Sequence, residues 1–234
     1  MRTTSCLPSH FLALLQLCDT TLPIGAYAFS NGLETYTQQG LIAEVATLQE
    51  WLEAILHHAV PGSHLLPVAL AHRFTTAGDW TQLERLDQHL TAMKHARELR
   101  EASVKTGQGL LRLAVHVWPG PAVERLHGLY QQHRLVAHQA LVLGVIGCQL
   151  GYEERIIIEA AGYQWLSSMI SAALRLLPIG QLAGQRVLAA LLPRLPVIAD
   201  DICQQGWDDL SSAAPELDIR AMQHETLYSR LFRS

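Results

Sequence analysis

The sequence predicts an all-α fold, a single-domain bundle of roughly nine or ten helices, and three observations carry that prediction. Apolar residues recur at three- and four-residue spacing along nearly the whole chain. No run alternates apolar and polar residues in the manner of a half-buried strand, and Val-Ile-Thr clusters are few. Hydrophobic residues make up 49% of the 234 and charged ones only 16%, which suffices to fill the core of one large domain.

The elements follow in order. Ser9 can cap a first helix over Phe11 to Cys18. A Pro/Gly loop, Thr21 to Ala26, comes next, then a short helix from Ser30 that Gly40 stops. Thr47 with Glu50 three residues on forms a capping box for a helix Leu48 to Ala59, closed by Pro61-Gly62, and Ser63 can cap its successor. Asp79 caps Trp80 to Met93, with Leu83, Leu86 and Leu90 on one face. A long segment from Lys94 to Trp118 carries the stripe Leu99, Ala102, Thr106, Leu110, Leu113, Val117 and ends at Pro119-Gly120-Pro121. Two central helices, apolar nearly all round, are split by Gly151 and the acidic pair Glu153-Glu154, which suits a helix N-terminus. After Pro178-Ile179-Gly180 a last core helix runs from about Ala183, and Pro193 and Pro196 break or kink it. These elements make residues 1–205 a helical core. Residues 206–234 read as an acidic, polar linker, Asp208 to Asp218, leading to a docking tail, His224 to Ser234. The bland alternative is a terminus packed on its own domain.

Charge and motif content exclude several function classes. A net charge of −4 lacks the basic footprint of a nucleic-acid binder. The stretches Leu135 to Leu150 and Ile156 to Leu177 are interrupted by His138, Gln139, Glu159, Gln164 and Arg175, so neither is a membrane span. Arg2, the apolar run Phe11 to Cys18 and Ala26-Tyr27-Ala28 imitate a secretory signal. The run is short, however, with Ser9 and His10 before it and Asp19 ending it, and an amphipathic first helix is the preferred reading. Cys6, Cys18, Cys148 and Cys203 show no metal spacing and suit reduced thiols in a cytoplasmic protein. Twelve histidines include no i, i+4 pair and no HExxH. Glu124 and His127 form a single ExxH where a di-iron bundle needs two. Asp200-Asp201 lacks a third aspartate, and there is neither a phosphate loop nor a GxSxG elbow. No cofactor, no metal and no catalytic set are therefore expected. Surplus apolar surface and fifteen arginines against two lysines suit protein interfaces.

Several blocks serve neither chemistry nor simple helix building: Leu14 to Leu17, Leu22-Pro23-Ile24-Gly25, Phe29-Ser30-Asn31-Gly32-Leu33-Glu34, Arg97 to Arg100, Leu110 to Ala114, Arg175 to Gln181 with Gly184-Gln185, and His224 to Ser234. In this order the chain resembles the urease accessory protein UreF family. The most specific parts are the LPIG…FSNGLE block and the YSRLFRS ending. Ala26 stands where many relatives have a second glycine, and Leu227 replaces a commoner polar residue. The resemblance implies a helical, homodimeric protein that is not an enzyme. It would join a UreD/UreH-type scaffold protein and the GTPase UreG, bridging them so that nickel is delivered to apo-urease. It also implies that the N-terminal segment and the C-terminal tail meet the scaffold. On this basis Leu22, Pro23 and Gly25 form a rigid loop, and Glu34 and Arg100 serve at a polar interface or in a buried pair. Gln181 and Gln185 orient backbone near a helix start, and Leu227, Tyr228, Arg230, Leu231 and Phe232 dock. For each residue a purely fold-stabilising role is the alternative. The competing class is a helical bundle with its own metal or small-ligand site, and a third reading, a tight nickel-holding chaperone, lacks paired ligands.

Overall fold

A computed structural model describes residues 11–212 and 214–233. It contains twelve α-helices among those residues, and none of them lies in a strand. The all-α class holds, with more helices than the roughly nine or ten expected from periodicity, because Pro121 and Pro215 each open a further helix and another follows Pro193. The helices are α1 (Phe11–Cys18), α2 (Leu33–Gln38), α3 (Val45–His58), α4 (Leu66–Ala77), α5 (Trp80–Met93), α6 (Arg97–Val117), α7 (Pro121–Gln131), α8 (Gln139–Gln149), α9 (Glu154–Leu176), α10 (Gln181–Leu191), α11 (Arg194–Cys203) and α12 (Pro215–His224). The proposed Ser9 cap lies outside the described residues.

The centre is the crossing of α4 with α8. Gly144 allows it, since a Cβ there would stand 2.3 Å from the Val68 carbonyl oxygen and 2.7 Å from the Ala71 methyl. Around this pair pack α5, α6, α7 and α9, while α9 in turn carries α1, α10 and α11. The apolar-all-round character of α8 and α9 is thereby satisfied within one chain, so it does not by itself demand a dimer. No single helix among the described residues is long and apolar enough to cross a membrane.

Several local expectations are corrected. α3 begins at Val45, with Glu44 in the cap position and Thr47 three residues in. The Thr47 hydroxyl accepts the Glu44 N–H at 3.3 Å, so Thr47 closes the box that it was expected to open. Pro61-Gly62 does not end a helix. The chain widens into a π-helical turn, Pro61–Leu65, and runs on into α4. Pro61 stands in the first turn of this segment, where its missing N–H has least to lose, and its carbonyl accepts the Leu66 N–H. Ser63 caps nothing and donates back to the Ala59 carbonyl at 2.6 Å. α6 buries Ala102, Thr106 and Leu110 as expected, but also Glu98, while Val117 is exposed. The last core helix starts at Gln181 and is followed by a separate α11 after Pro193. Within 206–234, Trp207–Asp209 forms a 3-10 turn and α12 starts at Pro215. Trp207, Leu210 and Leu217 pack partly buried on the core, and α12 lies against α2 and α6.

Two polar clusters fix the frame. Arg73 on α4 holds Glu154 at the start of α9 through two bonds of 2.8 and 2.6 Å, and donates to the carbonyls of Ile202 and Cys203 at the end of α11. Asp87 on α5 accepts the Val136 and His138 N–H groups, tying down the loop before α8. The fully buried His138 ring sits between Thr91 and Ser103. The Thr91 hydroxyl donates to the Asp87 carbonyl at 3.0 Å, so it accepts from Nε2–H of His138. Nδ1 then accepts from the Ser103 hydroxyl. Burial, with the Lys94 and Arg100 charges, pushes this imidazole down from 6.5 to about 3.

That depression makes stability pH-dependent. The unfolded ring takes a proton near 6.5 that the folded ring refuses until about 3. The contribution is therefore whole above 6.5 and declines as pH falls through that window, at up to about 1.4 kcal/mol per unit. Thermal melts at about pH 7.5 and about pH 5.5 check this. His138→Asn should flatten the decline, and an unaltered slope rejects the assignment.

Candidate functional site

The loop after α1 is set by Gly25, whose φ of 79° is left-handed and favours a residue without Cβ. Ile24 anchors the loop in the core, Leu22 is half-buried against it, and Pro23 faces solvent. The 3-10 turn Ala26–Ala28 that follows pushes Tyr27 outward, 70% exposed. Leu22, Pro23 and Gly25 thus lie together in the one loop between α1 and this turn.

From Ser30 the chain turns inward. The Ser30 hydroxyl accepts the Glu34 N–H at 3.3 Å at the start of α2, and Glu34 is 2% exposed. A carboxylate at that depth needs donors, and the C-terminal segment supplies them. Glu34 accepts the N–H groups of Leu231 at 2.6 Å and Phe232 at 3.0 Å, and its Oε2 lies 2.9 Å from Nε2 of His224. The other ring nitrogen of His224 lies 2.6 Å from Oε2 of Glu98 on α6. Oε1 of Glu98 accepts from Arg230 at 3.0 Å. His224 is fully buried at the end of α12. Through both ring nitrogens His224 thus joins α2, α6, α12 and the tail.

Further bonds seat the tail. Gln38 donates to the Ser229 carbonyl at 2.8 Å, and the Arg233 N–H donates to the Ala28 carbonyl at 2.9 Å. Arg97 pairs with Glu225 at 2.9 Å. Phe232 is buried, with the Arg175 guanidinium 4.1 Å from its ring centroid. Arg175 also donates to the Tyr27 carbonyl at 2.7 Å. The tail forms turns rather than the helix that would align Leu227, Tyr228 and Leu231. Leu227 is half-buried and Phe232 faces inward. Tyr228 stands fully exposed and Leu231 is 62% exposed. Since Arg233 bonds Ala28 and Arg175 meets both Tyr27 and Phe232, the exposed Tyr27 lies beside the end of the tail that carries Leu231, three residues beyond Tyr228.

Two expected groups lie apart from this cluster. Arg100 does not meet Glu34; it donates to the Lys94 carbonyl at 2.7 Å, closing the bend between α5 and α6. Gln181 and Gln185 are exposed and hold no backbone group among the described residues. They line a shallow polar depression between α9 and α10 that also contains Arg175. The sequence did not assign roles to His224, Glu98, Arg175 and Tyr27. All four stand inside or beside the unusual blocks, but their contacts join residues up to 190 positions apart, which periodicity cannot report. Among the described residues no three His, Cys, Asp or Glu side chains are placed to hold a metal ion.

The matching family model is that of UreF, over residues 42–192. Relatives resemble the chain over nearly its full length. It is 36% identical to the urease accessory protein UreF of Paenarthrobacter aurescens over 226 residues, 97% of this chain and 99% of the relative. The protein of the same name from Microcystis aeruginosa is 37% identical over 228 residues, 96% and 98% of the two chains. That from Nostoc sp. is 32% identical over 234 residues, 100% of each.

Proposed function

The chain belongs to the UreF family of urease accessory proteins, and from that premise we propose that it works in urease maturation as a non-enzymatic bridge. It joins a UreD/UreH-type scaffold protein to the GTPase UreG, and nickel is the cargo delivered to apo-urease in the cytoplasm. The supporting observation is the patch at which loop and tail meet. Tyr27, Tyr228 and Leu231 are exposed side chains carried on backbone held from beneath by Glu34 and Arg175. Exposed aromatic and aliphatic side chains on a pre-ordered backbone make good hot spots, because little ordering entropy is lost on binding. Arg230 borders the patch, with its charge partly satisfied by Glu98. Co-purification with the scaffold protein tests the reading: wild type is retained, and patch variants are not.

Residues 206–234 act in this reading as the docking unit of the 1–205 core, with Leu22, Pro23 and Gly25 shaping the facing loop. Gln181 and Gln185 offer further polar contacts beside Arg175. The protein is also proposed to be a homodimer. Ile156 and Tyr163 on α9, with Leu15, Leu192 and Pro196, line an open groove of about 620 Å³. Leu12 and Val197, 71% and 62% exposed, add apolar surface from the flanking α1 and α11. A second copy would cover this surface. Light scattering at micromolar concentration should give a dimer, and Val197→Asp should give a helical monomer. A wild-type monomer removes the dimer from the proposal.

A further inference from the structure

Asn31 is the only asparagine in the chain, and Gly32 follows it. The two are the central residues of a turn that Leu33 closes by donating its N–H to the Ser30 carbonyl at 3.1 Å. Both have positive φ, 50° and 87°, the combination that a type I′ turn demands and an Asn-Gly pair supplies. The two groups in this turn that can react with one another are weakly held. The Asn31 amide reaches only the Met169 sulfur, at 4.0 Å, so no strong bond fixes its Cγ away from the backbone. The Gly32 N–H has no hydrogen-bond partner among the described residues, and glycine places no Cβ beside its nitrogen. Asn31 is half-buried on the wall of a cavity of about 140 Å³, which has room for water.

We propose that Asn31 is a self-modification site, converting to isoaspartate and aspartate without an enzyme. The Gly32 nitrogen gives its proton to solvent base and bonds to Asn31 Cγ. The Cγ–Nδ2 bond breaks, and ammonia leaves with a proton from water. The five-membered imide so formed then takes up one water molecule. Opening at Cγ gives aspartate, while opening at the Asn31 main-chain carbonyl routes the chain through Cγ and makes it one atom longer. Nothing but water is consumed. The lengthened backbone falls where the tail is seated. Ser30, just before it, accepts the N–H groups of Leu33 and Glu34, and Glu34 holds Leu231, Phe232 and His224. Isoaspartate between Ser30 and α2 therefore shifts the Glu34 carboxylate away from those partners. A protein aged in this way keeps its core and loses the seat of its C-terminal segment.

The test is ageing of the full-length chain in warm, mildly alkaline buffer. Peptide mapping by mass spectrometry reads amide-to-acid conversion at residue 31, and the same chain in urea gives the rate without the fold. The expected result is native conversion within about tenfold of the unfolded rate, a barrier raised by no more than about 1.4 kcal/mol. Slower native conversion overturns the proposal, because the turn then protects the pair. Melting reads the consequence. Aged wild type should lose at least about 3 °C against its fresh sample. Asn31→Gln, compared with its own fresh sample, should lose nothing, since the longer amide has to close a six-membered ring. Conversion with an unchanged melt overturns the unseating of the tail. An equal loss in aged Asn31→Gln also overturns it, by assigning the damage to other residues.

Discussion

Replacing His224 with alanine should lower the stability of the protein by about 3–5 kcal/mol, the usual consequence of removing one member of a buried charged cluster. His224 is fully buried and its ring contacts Glu34 and Glu98, themselves 2% and 8% exposed. Alanine would leave both buried carboxylates without their shared partner. Glu34 would keep the Leu231 and Phe232 N–H groups, and Glu98 would keep Arg230, which places the effect toward the lower end of that range. For a chain of this length about 3 kcal/mol corresponds to roughly 6–12 °C in melting temperature. His224→Gln, able to bond one carboxylate but not both, should fall between the two proteins. A loss below about 1 kcal/mol in urea unfolding of His224→Ala would mean that the cluster contributes little.

Patch variants should behave in the opposite way. Tyr27→Ala, Tyr228→Ala and Leu231→Ala remove side chains that are 70%, 106% and 62% exposed, so melting should hardly move. Binding to the UreD/UreH-type scaffold should weaken by about 2 kcal/mol for each hot-spot residue, close to thirtyfold. Calorimetric titration of each variant against the purified scaffold reads this directly, and wild-type affinity in all three would end the docking assignment. Deletion from Met222 onward is a poorer experiment, because it strips His224 and Phe232 from the interior together with the patch. Its loss of binding could not be separated from its loss of fold.

Local rules made the helices legible. Asp79 does cap α5 by accepting the Gln82 N–H at 3.0 Å, and Leu83, Leu86 and Leu90 all lie in the core. Pro61 misled because it stands at the opening of a π-helical turn, a position that tolerates a residue without an N–H, and so the helix runs on past it. The segment after Gly206 misled for a different reason. Its acidic residues resemble a solvated tether, yet Trp207, Leu210 and Leu217 alternate with them and pack on the core. Of the functional region, the sequence identified Glu34 and the tail separately. It could not join them, since the joint is a histidine and two backbone N–H groups contributed from the far end of the chain.

That joint also sets an order in time. Glu34 is translated nearly two hundred residues before Leu231 and Phe232, and until those N–H groups arrive it has none of the tail's donors. The same holds for the Ala28 carbonyl, which waits for Arg233. The surface formed by Tyr27, Tyr228 and Leu231 therefore cannot exist on a nascent chain, however well its earlier helices have folded. A partner that recognises this surface passes over ribosome-bound and prematurely terminated products and engages only molecules whose synthesis has gone beyond residue 232.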